Sequence, residues 1–316
     1  MPDVSAPQDP SDPSGFGRGG VLVIDKPPGP TSHDIVAVVR RRCRGLKVGH
    51  TGTLDPFATG VLPLVVGQAT RLARYLGGDE KEYRAVIRLG RATDTHDETG
   101  QVVFEAPAGA RMPGEDELTA LLSTFLGTWA QTPPAFSAKL SDGVRAYDEA
   151  RRGRPVSLAP VQVTVSNIEL LGMEGPLATV RMATSAGFYV RAFAHEIGLR
   201  LGVGACLSAL RRTRSGGFRL EDAVGLAAVV EPGLERHLVR LEALLPDFPS
   251  VVLTAEGVDR AGHGRELGPL HYSGQRPERP AGSGGTPVRL LGPDGRLLAL
   301  GEMAAGGILH PVVVLG

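Results

Sequence analysis

The sequence is organised around one twelve-residue segment, Gly49-His50-Thr51-Gly52-Thr53-Leu54-Asp55-Pro56-Phe57-Ala58-Thr59-Gly60. It follows a basic stretch that ends a predicted helix and precedes a strand predicted at residues 61–66. Pro56 biases Asp55 away from helical backbone geometry, and the glycines allow the backbone to approach a ligand closely. Taken alone, these features fit an Asp-Pro turn that joins a helix to a strand.

On both sides of this segment the hydrophobic pattern alternates between strands and helices. Period-two or short apolar runs predict strands at residues 20–25, 83–89, 161–171 and 178–184. Thr31 or Ser32 is expected to cap a helix that begins directly after it. Further helices are predicted at residues 68–76, 115–125, 190–201 and 205–212, and one more before a linker at 245–249. Short β-like runs follow, including a hairpin from residues 288–291 and 297–300.

Charge is distributed unevenly along the chain although it sums to zero. The 34 Lys and Arg residues balance the 34 Asp and Glu residues, which by itself argues against a nucleic-acid partner. Residues 40–47, however, carry five basic side chains and no acid, and residues 181–219 carry seven arginines against one glutamate. Residues 221–256 carry seven acids against two arginines. A single basic run is usually a solvated helix face, but two separated runs favour a polyanionic partner.

Some function classes are excluded by what the sequence lacks. Cys43 and Cys206 are far apart and form neither a disulfide framework nor a zinc-ligand spacing. No apolar run is long enough to span a bilayer, and the first residues lack the basic and apolar parts of a signal peptide. We therefore expect a cytoplasmic protein that does not associate with membranes.

Motifs for nucleotides and metals fail when their context is considered. Residues 15–20 match G-x-G-x-x-G but precede a strand instead of following one. Leu199 interrupts the H-E-x-x-H pattern that His195 begins, so His195 is interpreted as a helix-surface or partly buried histidine. One loop collects four side chains of metal-ligating type: Asp94, His96, Asp97 and Glu98. A hydrated acidic turn is the simpler interpretation of that loop, and we expect no metal and no nucleotide or other cofactor.

Seven spaced segments, taken together and in order, are more specific than any one of them. They are Leu22-Val23-Ile24-Asp25-Lys26-Pro27, residues 47–56, Lys81-Glu82-Tyr83-Arg84, residues 89–95, Phe136-Ser137-Ala138-Lys139, Gly187-Phe188-Tyr189-Val190-Arg191 and Leu210-Arg211-Arg212-Thr213. This set resembles the bacterial TruB family of tRNA pseudouridine synthases. The resemblance covers residues 20–218 and is weaker beyond them.

The resemblance implies an α/β fold of the α+β type. Its catalytic domain, at residues 19–248, would hold a mixed, largely antiparallel central sheet flanked by helices. A flexible tail at residues 1–18 would precede it, and a small β-rich, PUA-like RNA-binding domain would follow at residues 249–316. Residues 130–155 correspond to an RNA-contacting insertion of the family. The basic side chains of this insertion suit phosphate contacts: Lys139, Arg145, Arg151, Arg152 and Arg154.

The resemblance also implies an isomerase that converts the T-loop uridine, position 55 of tRNA, to pseudouridine. Breaking the glycosidic bond requires a nucleophile, which a carboxylate can supply, and the resemblance assigns that role to Asp55. Whether Asp55 attacks C1′, attacks C6 or acts by deprotonation stays open. Arg191 would pair with Asp55 and keep it ionised and aimed. Tyr83 would stack on the base and assist proton transfer at C5.

The remaining assignments concern the space around the substrate base. A stacked base must be flipped out of its loop before an enzyme can act on it, and His50 would fill the space that the uridine leaves. Tyr189 and Leu210 would form walls of the pocket, while Lys26 receives no definite role. From residue type alone, Tyr83 and Tyr189 also fit ordinary aromatics of a strand or a helix start. Leu210 also fits an ordinary core leucine, and Arg191 a structural ion pair.

The expected partner is tRNA, through its T-arm stem-loop, and we expect the protein to act as a monomer. Two alternatives stay open. The first is a non-catalytic tRNA-binding or tRNA-folding protein, against which the intact context of Asp55 argues. The second is a guide-RNA-dependent synthase that modifies ribosomal RNA, against which the lack of long basic tails argues.

Overall fold

The structure, a computed structural model, describes residues 15–78, 80–136, 140–141, 144–145, 158–273 and 287–315 of the 316-residue chain. Most of the expected N-terminal tail and most of the expected insertion, with Lys139, Arg151, Arg152 and Arg154, therefore lie outside the described residues. Within the expected tail, Phe16 is buried in the main core, so packing begins before residue 19.

Helices are interspersed among the strands in the first two thirds of the chain. Within the described residues the α-helices are α1 Ser32–Arg42, α2 Ala73–Gly77, α3 Glu115–Ser123, α4 Val190–Leu201 and α5 Ala255–Gly262. The strands are β1 Gly19–Lys26, β2 Val48–His50, β3 Thr59–Gly67, β4 Lys81–Leu89, β5 Arg91–Thr93, β6 Val102–Glu105, β7 Gly127–Gln131, β8 Leu140–Ser141, β9 Val144–Arg145, β10 Val161–Glu174, β11 Leu177–Thr184, β12 Ala205–Ser215, β13 Phe218–Arg219, β14 Val224–Gly225, β15 Val239–Arg240, β16 Ser250–Leu253, β17 Tyr272–Ser273, β18 Val288–Leu291, β19 Leu297–Met303 and β20 Leu309–Val314.

A mixed sheet forms the centre of the molecule, as the sequence predicted. Its strands lie in the order β14-β1-β3-β12-β4-β11-β10-β7, with β2 and β15 paired to β3 and β1 and β13 paired to β12. The pairs β1–β14 and β3–β12 are parallel, whereas the others are antiparallel. The parallel pairing of β3 with β12 brings the segment after residue 205 beside the strand that follows Asp55.

The two faces of this sheet are covered by different parts of the chain. The front face packs against α1, α3 and α4, and Ile35, Leu122 and Phe193 are buried in the resulting core. The back face of β1 and β3, represented by Val21 and Val61, packs against α2, the segment before residue 246 and the C-terminal sheet. The loop at residues 51–58, which carries Asp55, connects β2 to β3.

The predicted helix at residues 205–212 is wrong, because these residues form β12. The strand pairs with β4 over its whole length, but the register shifts between Leu207 and Ala209 and again between Arg212 and Arg214. Each such bulge adds a residue to one strand and breaks the alternation of inward and outward side chains. The apolar spacing therefore no longer showed the period of two that identifies a strand.

The helix predicted before the linker at 245–249 is also absent from the described residues. Three short 3₁₀ segments occupy this region, at Leu226–Val230, Leu234–His237 and Leu241–Ala243. Leu234 and Leu241 are buried against the two sides of the sheet. The apolar residues of this region therefore contact two different cores and do not form the single apolar face of one helix.

A second sheet follows, with the order β17-β16-β18-β19-β20 and the helix α5 beside it. The predicted hairpin is confirmed as β18 and β19, which pair antiparallel. Leu297, Leu300 and Leu315 pack with the back face of β1 and β3, and Arg18 donates to the carbonyl oxygens of Leu297 and Leu315 at 2.9 and 2.6 Å. The predicted C-terminal β domain is therefore present and is joined to the central sheet by apolar and polar contacts.

Candidate active site

The loop that carries Asp55 is fixed to the start of helix α1. Thr31 caps this helix through the Asp34 backbone N–H, so Ser32 is free for a different contact. The Ser32 hydroxyl donates to the Leu54 carbonyl at 3.0 Å and accepts from the Leu54 N–H at 2.9 Å. Because both partners are buried, this pair fixes the residue directly before Asp55.

Lys26 lies beneath the same loop and is completely buried. Its ammonium donates to the carbonyl oxygens of Pro27, Pro56 and Ala58 at 3.0, 2.9 and 2.8 Å, which uses all three donors of a lysine. Burial lowers the pKa of Lys26 to about 8, and attraction to the Asp55 carboxylate partly offsets that effect. Lys26 therefore positions the backbone on the C-terminal side of Asp55.

Arg212 is a second buried cation beneath the loop, on its N-terminal side. Its Nε donates to the Val61 carbonyl at 2.7 Å and its Nη2 to the Gly52 carbonyl at 3.1 Å. Burial lowers the pKa of Arg212, and its side-chain contact with Tyr83 acts in the opposite direction. The sequence motif around residue 210 contained Arg212, but the wrong helix assignment hid that its side chain points towards this loop.

Arg191 forms the predicted ion pair with Asp55. Its Nε and Nη2 donate to the two carboxylate oxygens at 2.8 and 3.1 Å, which is the two-pronged geometry that arginine favours. The Arg191 side chain is 7% exposed and that of Asp55 is 32% exposed. The pair therefore presents an oriented carboxylate to solvent, with its cation held behind it.

Arg191 also makes two hydrogen bonds to backbone carbonyls. Nη1 donates to the Thr95 carbonyl at 2.9 Å and Nη2 to the Phe136 carbonyl at 2.8 Å. Asp97 Oδ2 lies 3.6 Å from Arg191 Nε. One arginine at the start of α4 thus joins the Asp55 loop to the segment after β5 and to the segment after β7.

The interpretation of residues 94–98 as a hydrated acidic turn is wrong for Asp97, which is buried. Its Oδ1 accepts from the Thr99 N–H and the Thr95 hydroxyl, each at 2.9 Å. A β-bridge between Asp97 and Leu207 attaches this turn to β12. Sequence reasoning missed Asp97 as a site residue; the alternation of Thr95, Asp97 and Thr99 was the available signal, because hydroxyls satisfy a buried carboxylate.

His195 is half-buried on α4, in agreement with its interpretation as a partly buried histidine. Its ring stacks on that of His96, with the centroids 3.9 Å apart and the planes 3° apart. The pKa of His96 is lowered to about 4, chiefly by burial and also by His195 and Arg191, while Asp97 acts in the opposite direction. In the part of the chain that the structure describes, no group of three or more His, Cys, Asp or Glu side chains is arranged to hold a metal ion.

The predicted pocket residues lie on neighbouring elements. Tyr83 on β4 and Leu210 on β12 are both buried in the front-face core, together with Leu54 from the Asp55 loop. Tyr189 precedes α4 and is half-buried, and its backbone N–H and carbonyl are paired with the Gln131 amide at 2.8 and 3.0 Å. Tyr83 and Leu210 thus share one face of the sheet with the loop.

His50 lies on β2, opposite Leu64 of β3. Burial is the main cause that lowers the pKa of His50, and Arg212 adds to the effect. Among the described residues, no hydrogen bond joins the side chains of His50 or Tyr189 to Asp55. The structure therefore brings Asp55 and Arg191 into direct contact and leaves His50 and Tyr189 around them.

Two family models match consecutive parts of this chain. The model described as TruB family pseudouridylate synthase (N terminal domain) matches residues 40–190, and the model described as tRNA pseudouridylate synthase B C-terminal domain matches residues 191–245. The tRNA pseudouridine synthase B of Solibacter usitatus is 41% identical over 94% of this chain and 99% of its own length. The chain belongs to the TruB family. The family prediction made from the spaced motifs is therefore confirmed.

Other TruB relatives match over similar lengths. The tRNA pseudouridine synthase B of Geobacter sulfurreducens is 42% identical over 91% of this chain and 94% of its own length. That of Thermobifida fusca is 41% identical over 93% of this chain and 98% of its own length. The similarity thus includes the C-terminal β domain as well as the central sheet.

Solved structures confirm the pseudouridine synthase fold of this TruB member. A Cbf5-Nop10-Gar1 complex matches with a TM-score of 0.71 and 28% identity, over 99% of this chain and 92% of that chain. An H/ACA RNP bound to a substrate RNA containing 2'-deoxyuridine matches with a TM-score of 0.70 and 28% identity, over 95% of this chain and 86% of that chain. Separately, none of the described helices is long and apolar enough to cross a membrane.

Proposed function

We propose that this protein is a tRNA pseudouridine synthase that converts the T-loop uridine of tRNA, position 55, to pseudouridine. The observation that carries the proposal is the two-pronged pair between Asp55 and Arg191, inside a loop that the TruB family model covers. Relatives at 41% and 42% identity over most of the chain bear the name tRNA pseudouridine synthase B.

Asp55 supplies the nucleophile that the reaction requires. The enzyme breaks the N1–C1′ bond, turns the base and joins C5 to C1′, so atoms and electrons balance within one nucleotide. A carboxylate can carry the covalent intermediate of such a two-step process. Arg191 orients the Asp55 carboxylate through two hydrogen bonds, and fixing the geometry of the attacking group lowers the barrier by avoiding reorganisation in the transition state.

The substrate base enters the site after leaving its stack. Extrusion costs a few kcal/mol, which contacts in the pocket offset. Tyr83 stacks on the extruded uracil and assists proton transfer at C5, Leu210 and Tyr189 line the pocket, and His50 fills the vacated position in the loop. The burial of Tyr83 and Leu210 beside Leu54 supports the assignment of these two to the wall nearest the nucleophile.

The proposal also assigns a role to each part of the chain. Residues 19–248 perform catalysis, residues 249–316 form an RNA-binding, PUA-like domain, and residues 130–155 contact the T-arm. The protein acts as a monomer on cytoplasmic tRNA. The origin of Asp55 and Arg191 from a single chain supports a monomeric active unit, since no second copy is required to complete the pair.

A guide-dependent synthase is the main rival, because the solved Cbf5 complexes share the fold. The higher identity to tRNA pseudouridine synthase B relatives, 41% against 28%, favours independence from a guide. The paired and oriented Asp55 carboxylate likewise favours catalysis over simple tRNA binding.

The proposal is tested by tritium release from a T-arm hairpin that carries 5-³H-uridine at the target position. The purified protein, with no guide RNA, should release one equivalent of tritium for each hairpin. A hairpin labelled only at other uridines is the control and should release none. Release that requires an added guide RNA, or that occurs equally from the control, would contradict the proposal.

A further inference from the structure

A pocket of about 570 Å³ lies on the central sheet at the end of β3 remote from Asp55. We call it the seam pocket, because it adjoins the junction between the central sheet and the C-terminal sheet. The lining residues that matter for its chemistry are Arg18, Lys47, Gly67, Thr70 and Arg71. Three of the side chains are cationic and none is acidic.

Two of the three cations are anchored by the C-terminal domain. Arg18 donates to the Leu297 and Leu315 carbonyls, and Arg71 donates to the Val314 carbonyl. Glu242 lies 3.6 Å from Arg18 Nη1 and is an acidic neighbour outside the pocket lining. Glu242 partly compensates the charge of Arg18, whereas the carbonyl contact of Arg71 holds its guanidinium in place without neutralising it. The net positive charge of the pocket therefore comes mainly from Arg71 and Lys47.

Lys47 provides the most accessible charge. The residue is exposed, and among the described residues its ammonium forms no hydrogen bond or ion pair. Its backbone is nevertheless fixed, because the Lys47 carbonyl accepts from the Gly67 N–H at 2.8 Å. Gly67 has a φ of +59°, and a Cβ there would lie 2.7 Å from the Arg18 carbonyl oxygen. The pocket floor therefore depends on close backbone packing that a larger residue would disturb.

The seam pocket is separated from the reacting position by the length of one strand. Asp55 is tied to the start of β3, since its carbonyl accepts from the Ala58 N–H at 3.1 Å, whereas Gly67 ends β3 at the pocket. The nine residues of β3 are joined by eight steps of about 3.3 Å each, which places the pocket about 26 Å from the Asp55 end of the strand. A group bound in the pocket cannot touch the uridine that reacts.

We propose that the seam pocket binds a backbone phosphate of tRNA outside the T-arm. The inference rests on the proposed tRNA substrate. Exposed arginine and lysine side chains near a hydroxyl, here Thr70, are the groups that most often contact nucleic-acid phosphates. Because the pocket lies a whole strand away from the Asp55 end of β3, the proposal assigns this phosphate to a part of tRNA that a T-arm hairpin lacks. The site contributes affinity for the whole tRNA and no chemistry.

The test compares two substrates with one set of variants. Lys47→Glu should lower kcat/KM for full-length tRNA about tenfold, while kcat/KM for a T-arm hairpin stays within twofold of the wild-type value. Lys47→Arg keeps the charge and should behave like the wild type on both substrates. Arg111→Glu is the matched control, because it reverses an exposed arginine away from the pocket; it should not change the ratio between the substrates.

A binding titration supplies an independent readout. The slope of log Kd for tRNA against log salt should decrease by about 1 in Lys47→Ala, because one phosphate contact fewer releases fewer counterions. Equal losses on hairpin and full-length tRNA, or an unchanged salt slope, would overturn the proposal. Wild-type protein that binds tRNA but makes no pseudouridine in either substrate would refute the proposed function and leave the titration as the test of the pocket.

Discussion

The Asp55 loop and the seam pocket both contain basic side chains, but they use them in opposite ways. Around the loop, Lys26, Arg191 and Arg212 are buried and donate to backbone carbonyls or to a carboxylate. In the seam pocket, Lys47 and Arg71 are exposed. Burial with full pairing makes a cation a structural support, whereas exposure leaves it available to an external anion.

This difference explains how the Asp55 loop can be glycine-rich and still be held by many hydrogen bonds. A loop with few side-chain contacts is usually mobile, but the carbonyls of Gly52, Pro56 and Ala58 each accept from a buried cation. Hydrogen bonds to charged groups contribute about 1.5–3 kcal/mol each. The carboxylate at the loop apex is therefore held in one orientation before the substrate arrives.

The largest effect is expected from Arg191. Arg191→Met removes both hydrogen bonds to Asp55 and leaves the buried Asp97 without its counter-charge. We expect kcat to fall about 10³-fold, through lost orientation of the nucleophile, with a change in tRNA affinity below about threefold. Single-turnover tritium release and a binding titration measure the two quantities.

Arg191→Lys separates charge from geometry, because lysine keeps the charge but cannot form the two-pronged pair. Its kcat should lie between those of the wild type and Arg191→Met. A variant that binds tRNA poorly but turns over normally would assign Arg191 to binding instead.

Lys26→Met should have the next largest effect, on stability. The change leaves the carbonyls of Pro27, Pro56 and Ala58 without their donor. Removing one partner from a buried charged network costs about 3 kcal/mol. Urea unfolding at pH 7 measures the free energy of unfolding; a loss below about 1 kcal/mol would mean that the ammonium contributes little to the loop.

The lowered pKa of Lys26 also predicts how the stability difference between the wild type and Lys26→Met depends on pH. In the folded protein this pKa is about 8, below the ordinary lysine value of 10.5, so between these values the unfolded chain binds more protons. Stability linked to Lys26 therefore rises with pH across that window. The difference in unfolding free energy between wild type and Lys26→Met should widen from pH 8 to 10, and a narrowing difference would contradict the burial of the charge.

Ser32→Ala should have a moderate effect that concerns the loop alone. It removes two buried hydrogen bonds to Leu54, which should cost about 2 kcal/mol and lower kcat several-fold by loosening Asp55. Thr31→Ala is the matched control, since it removes the cap of the same helix at a cost of about 1 kcal/mol but leaves the Leu54 contact. Equal kcat values in the two variants would show that the Ser32 contact does not position Asp55.

The smallest effect is expected in the seam pocket. Lys47→Ala should change the free energy of unfolding by less than about 0.5 kcal/mol, as is usual for an exposed side chain without partners. Thermal and urea unfolding provide the measurement. A loss above about 1 kcal/mol would mean that Lys47 is part of the fold, and the contrast between the two groups of cations would then fail.

The helices and strands that were predicted correctly are those whose apolar residues recur with a regular period. The strand β4 alternates without interruption, and α4 shows an uninterrupted helical stripe that the structure reproduces as Val190–Leu201. The strand β12 was missed because two bulges break its alternation. Bulges are set by pairing with β4, a contact distant in sequence, so local periodicity could not reveal them.

For the site, the resemblance to the TruB family supplied the pair Asp55–Arg191, which are separated by 136 positions. No local pattern could have joined them. Asp97 and Arg212 were missed because the position of each depends on β12, which was predicted to be a helix. Arg212 lies on this strand, and Asp97 forms a β-bridge to it. Lys26 was noticed as the end of a strand, but its function depends on carbonyls about thirty residues away.

The central claim is that the Asp55 carboxylate, held by Arg191, is the group that starts the reaction. Single-turnover tritium release from 5-³H-uridine tRNA by Asp55→Asn tests it most directly, because asparagine keeps the shape and removes the nucleophilic charge. We predict no detectable release above the rate without protein, together with tRNA affinity within about threefold of the wild-type value. Release by Asp55→Asn at more than a few per cent of the wild-type rate would contradict the account.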